Sequence, residues 1–143
     1  MINDCGGALD HGLYYGSGGT SQQGDRTNIP AGTPGNRFTY DETPIDEVDD
    51  LARTHDMTYD EARVKNFYSD PAGVAADRAF VQGLETYLAN ASRGRNDAIT
   101  GRAPSSEAIK YAERAVVSFR ILVVTKIVNF VTKKLSVQKE QKK

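Results

Sequence analysis

The spacing of apolar and polar residues divides the chain into an aperiodic first third and a helical remainder. From Thr43 onward, positions three and four residues apart form one stripe: Ile45, Val48, Leu51, Ala52, His55, Tyr59, Ala62 and Asn66. Thr43 is placed to cap this helix, Pro44 suits its first turn, and Asp46 follows the Thr in the manner of a capping box. The helix is expected to end between Asn66 and Ser69. Asp70-Pro71 repeats the start signal, and Val74, Asp77, Phe80, Val81, Leu84, Leu88 and Ala91 form the stripe of a second helix. A polar, Arg-bearing connection follows over 92–104. Ser105 or Ser106 then caps a third helix expected to run to about Leu135, with the basic tail 136–143 frayed. Residues 1–42 scatter Gly, Ser, Thr, Asn and Pro without period and read as a loop-rich arm, with a strand signal only at Arg37–Tyr40. The expected fold is all-α: a single domain over 1–135 in which the arm precedes an antiparallel helix pair over 43–91 and a long C-terminal helix.

Composition narrows the classes. With 143 residues, 38% hydrophobic and 26% charged, the chain suits one globular domain with one modest core. The lone Cys5 excludes an internal disulfide framework and a Cys-based zinc site. The opening MINDCGGALDHG has neither the basic nor the apolar region of a signal peptide, so any export is expected to use another route. The most apolar run, Val116–Val131, is interrupted by Arg120, Lys126 and Asn129 and is not expected to span a membrane. Charge is unevenly divided, with 12 acids against 3 bases in residues 1–61 and 7 acids against 15 bases in residues 62–143. Nucleic acid is not an expected partner, because the basic half does not interleave aromatics with its Lys and Arg and the net charge is −1.

Each of the first two stripes contains one residue that does not belong in an apolar interior, His55 in one and Asp77 in the other. A buried carboxylate must be paired. An imidazole that donates one N–H to it satisfies both groups and leaves its second nitrogen basic and directed at the cleft. The competing reading makes His55 a satisfied core histidine and pairs Asp77 with an arginine such as Arg63 or Arg78. Around His55, Asp56 reaches the flank of the same cleft, about 100° further round the helix, and Tyr59, one turn on, can donate its hydroxyl to Asp77. In the arm, the run Tyr14-Tyr15-Gly16-Ser17-Gly18-Gly19 can turn successive carbonyl oxygens inward, as hard cations such as Ca²⁺ require, with a carboxylate such as Asp56 completing the set. Taken alone, the run reads more readily as a flexible turn, and Gly32–Asn36 is a second loop that could play the part.

These features together, Y-x-G-x-G-G in a loop, His-Asp-x-x-Tyr on one helix and an Asp on the next, resemble the calcium-dependent phospholipase A2 family. The resemblance covers roughly residues 12–91 and is nearest to the cysteine-free branch found in parvovirus capsid proteins and bacteria. It implies that His55 is the general base toward water, that Asp77 orients the imidazole, and that Tyr59 supports Asp77. It also implies Ca²⁺ held by Asp56 and the carbonyls of Tyr14, Gly16 and Gly18, and hydrolysis of the sn-2 ester of glycerophospholipids. The implied partner is a phospholipid membrane surface, together with a cognate inhibitor or immunity protein if the domain is a secreted or delivered toxin or effector. Two departures stand out: 36 residues lie between Gly18 and His55, and the disulfides of the secreted animal members are absent. Outside the resemblance, the third helix is apolar over a wide arc, with Ser118, Thr125, Lys126, Asn129, Thr132 and Lys133 on a polar one. It is expected either to close the core or to rest on anionic lipid or a protein partner. A non-catalytic membrane- or protein-binding module on the same scaffold is the alternative to the enzyme.

Overall fold

The computed structural model describes residues 43–141. Among them the fold is all-α: α1 (Glu47–Ala62), a one-turn 3-10 helix (Pro71–Gly73), α2 (Val74–Ser92) and α3 (Ser106–Gln141). The strand signal at Arg37–Tyr40 lies outside the described residues.

The α1 cap sits three residues later than the Thr43 signal suggested. Asp46 is the N-cap and accepts the Asp49 amide at 2.8 Å, while the Asp49 carboxylate reaches back to the Ile45 amide at 2.9 Å. Ile45, expected to face inward, is 48% exposed as a result. The helix also ends earlier than its stripe implied. Arg63 adopts the left-handed conformation at φ 54°, and the Arg63 and Val64 amides close back onto the Asp60 and Tyr59 carbonyls. That is a Schellman ending, usually marked by Gly. It leaves Ala62 and Asn66 exposed rather than inward.

Asp70 organises the turn into α2, accepting the Lys65 amide at 2.8 Å and the Ala72 amide at 3.0 Å. These amide bonds hold its carboxyl below the ordinary carboxylate value. α2 ends in a second Schellman motif, with Gly94 at φ 76° supplying the left-handed residue that a side chain would strain. The connection to α3 is built around buried Asp97. Its carboxylate accepts the Glu47 amide at 3.0 Å across the first turn of α1, as well as the amides of Ile99 and Thr100 within its own turn. A carboxylate at a helix N-terminus is favourably placed. Ser105 caps α3 through the Ala108 amide at 3.1 Å, and α3 continues to Gln141, past the expected end near Leu135.

α2 packs against both α1 and α3. The core joins Val48 and Ala52 of α1, Phe80, Val81, Leu84 and Tyr87 of α2, and Ala108, Tyr111, Ala112, Ala115, Val116, Phe119 and Leu122 of α3. Full burial of a Leu- or Phe-sized side chain stabilises by about 1.5–3 kcal/mol.

Candidate functional site

The two interior misfits meet. His55 Nε2 lies 2.7 Å from Asp77 Oδ1, and both side chains are buried. An ionised carboxylate only accepts, so Nε2 carries a proton, and in the neutral imidazole the lone pair is on Nδ1. Asp77 sits in the first turn of α2, where the helix N-terminus favours a negative charge. It is not paired with Arg63 or Arg78; its partners are His55, Tyr59 and Lys126. The Tyr59 hydroxyl donates a very short hydrogen bond to Asp77 Oδ1. Burial, followed by the Asp77 charge and hydrogen bond, pushes the Tyr59 hydroxyl far above its ordinary value, so it remains a donor.

Three aromatic rings from three elements stand near the imidazole: Tyr59 at 4.3 Å, Phe80 at 5.0 Å and Phe119 at 5.1 Å between centroids, with Phe67 further out at 6.5 Å. They fix the ring plane and exclude water from the Asp77 side. The second nitrogen faces elsewhere: Nδ1 lies 3.9 Å from Asp56 Oδ1. Burial pulls the His55 value down, but hydrogen bonding and charge from Asp56 and Asp77 outweigh it, so the imidazole is more basic than an ordinary histidine.

Of the residues singled out from the sequence, His55, Asp56, Tyr59 and Asp77 are thus brought together. Tyr14, Gly16, Gly18 and the alternative loop Gly32–Asn36 lie outside the described residues. Among the described residues no group of three or more His, Cys, Asp or Glu side chains could hold a metal ion, and Asp56 is the carboxylate that stands beside the basic nitrogen. A single carboxylate suits a hard cation whose other ligands are main-chain oxygens.

The sequence reading missed Lys126. The helical pattern puts it on the polar arc of the third helix, but its side chain is fully buried, with Nζ 2.8 Å from Asp77 Oδ2 and 2.8 Å from the Tyr59 hydroxyl. Its position was readable: Ala108, Ala112, Ala115, Phe119, Leu122 and Lys126 follow one another at steps of four and three. A buried aspartate also calls for a cation. Of the wide apolar arc only part closes the core: Ile121, Val124, Val128 and Val131 lie on the exposed side of α3. By length and composition α3 has a window apolar enough to cross a membrane, of which 33% is buried within the fold.

No protein-family model matches this chain, and neither does any curated protein or solved structure.

Proposed function

We propose that the domain is a phospholipase A2-like hydrolase that cleaves the sn-2 ester of glycerophospholipids with calcium. The observation that carries this reading is the buried His55–Asp77 pair, with the remaining imidazole nitrogen turned toward the Asp56 carboxylate. Asp77 and the aromatic surround hold the ring, and Nδ1 takes a proton from water as that water attacks the ester carbonyl. The imidazolium so formed is stabilised by Asp77 and returns its proton to the departing glycerol oxygen as the acyl C–O bond breaks. No covalent acyl-enzyme is required. Asp56, with the carbonyls of Tyr14, Gly16 and Gly18, would hold the ion. Bound calcium supplies positive charge for the developing oxyanion and the substrate phosphate.

The exposed aliphatic face of α3 supports docking on a phospholipid surface. Val117, Ile121, Val124, Val128, Val131 and Leu135 lie outward, and Lys133, Lys134 and Lys139 add cations for anionic headgroups. Such a domain acts at membranes as a secreted or delivered toxin or effector, or as a virion- or phage-associated lipase, and a cognate immunity protein is a natural partner. The same exposed face supports the second reading, a non-catalytic membrane- or protein-binding module.

The test is fatty-acid release from mixed phospholipid vesicles with calcium and with excess chelator. Release that needs calcium and leaves lysophospholipid with its sn-1 chain intact is the expected result. Vesicle binding without any release, in the presence of calcium, would replace the enzyme with the binding module.

A further inference from the structure

Lys126 is the one lysine buried among the described residues, and it bonds the Asp77 oxygen that the imidazole does not. The two oxygens of Asp77 are used differently. Oδ1 accepts from His55 Nε2 and from the Tyr59 hydroxyl, whereas Oδ2 accepts from Lys126 Nζ at 2.8 Å. Lys126 also donates to the Tyr59 oxygen at 2.8 Å, which closes a ring of Lys126, Asp77 and Tyr59.

The direction of every proton in this ring follows from the donor inventory. An ammonium has no lone pair, so the Tyr59 oxygen must accept from Lys126 and direct its own proton to Asp77 Oδ1. The ammonium thereby fixes both the rotation of the carboxylate and the direction of the tyrosine hydroxyl. It also supplies the charge that a fully buried aspartate beside a neutral imidazole otherwise lacks. The Lys126 ammonium also stands over two aromatic rings: Nζ lies 5.1 Å from the Tyr59 ring centre and 5.7 Å from that of Phe67. Gly73 leaves the room, since a Cβ there would come within 2.9 Å of both Lys126 Nζ and the Tyr59 hydroxyl.

We propose that Lys126 is a positioning residue of the site, which acts through Asp77 and Tyr59 to hold the His55 imidazole in its working orientation. The kinetic part rests on the phospholipase reading; the geometric part does not. All three helices meet at this carboxylate: α2 carries Asp77, α1 gives it His55 and Tyr59, and α3 gives it Lys126.

The test uses Lys126→Met, which keeps length and removes charge, with two readouts on the full chain. In NMR of ¹⁵N-labelled protein, the His55 Nε2 proton, sheltered between ring and carboxylate, should move or exchange away in the variant. On phospholipid vesicles kcat should fall roughly 10- to 100-fold, the scale on which partners that orient a working group act, with KM unchanged. Lys126→Ala assayed with propylammonium or with propanol separates charge from volume, and propylammonium alone should restore the proton signal. If Lys126→Met does not fold, this pair carries the test. A folded Lys126→Met with an unmoved His55 proton and unchanged kcat overturns the proposal, and so does equal restoration by propanol. If the unaltered protein releases no fatty acid, the phospholipase reading fails while the NMR readout still decides the role of Lys126.

Discussion

α3 carries two stripes with the same four-three spacing, and they meet opposite fates. The inner one reads Ala108, Ala112, Ala115, Phe119, Leu122, Lys126 and is buried throughout; the outer one reads Val117, Ile121, Val124, Val128, Val131, Leu135 and is 48% to 62% exposed. The less hydrophobic stripe is therefore the one inside. Small side chains let α3 approach α2 closely, and Phe119 reaches the aromatic group around His55. The lysine at the end of the inner stripe is matched by an aspartate on the facing helix. Burial follows complementarity to a partner surface rather than side-chain hydropathy alone. The outer stripe has the hydropathy without a partner among the described residues.

The largest expected effect lies at the inner face. His55→Ala should reduce phospholipid hydrolysis by roughly 10² to 10⁴, the contribution of a positioned general base. Undiminished turnover in the folded variant would remove the base from the account. Packing comes next. Phe119→Ala should cost about 3–5 kcal/mol in denaturant unfolding through the cavity it leaves, and Ala115→Leu about 1–3 kcal/mol through overpacking. A stabilising Ala115→Leu would show that the inner stripe is not closely packed.

The pH dependence of stability has a definite sign. His55 in the folded protein lies above its ordinary value of 6.5. Its protonation therefore stabilises the fold fully below pH 6.5, and that contribution is lost as pH rises through the folded-state value. In chelator, the unfolding free-energy difference between the protein and His55→Gln should shrink as pH rises from 6 to 9 (roughly the range that spans a raised histidine). A difference that grows over that range would reverse the assigned sign. Smaller effects follow at the surface. Arg63→Gly should stabilise by up to ~1 kcal/mol, because glycine tolerates the left-handed position that ends α1. Ile121→Gln on the outer stripe should leave unfolding within ~0.5 kcal/mol while weakening vesicle binding. A large loss of stability there would place Ile121 in a packed interface instead.

Much of this arrangement was legible in the sequence. The all-helical character, the starts of α2 and α3, and the meeting of His55, Tyr59 and Asp77 follow from periodicity, Asp-Pro and Ser start signals, and the cost of an unpaired buried carboxylate. Three features were not read. The end of α1 is set by a left-handed Arg63, which carries no glycine signal. Asp97 is sequence-local to a polar connection yet bonds the Glu47 amide at 3.0 Å, a contact between residues 50 apart that no local pattern encodes. Lys126 interrupts an apolar run and so looks like a solvent-facing residue until the inner stripe is counted from Ala108. In the last two cases a charged residue is internal because of a partner distant in sequence, and single-helix periodicity does not report partners.

In the proposed mechanism His55 and Asp56 are neighbours with different tasks, one moving a proton and the other holding calcium. The most direct test of this mechanism is fatty-acid release by the protein, His55→Ala and Asp56→Ala, each confirmed folded, at low and saturating calcium. His55→Ala should keep its roughly 10² to 10⁴ loss of rate at every calcium concentration while still binding the ion, whereas Asp56→Ala loses both binding and activity. Full calcium-dependent hydrolysis by either folded variant would contradict the mechanism.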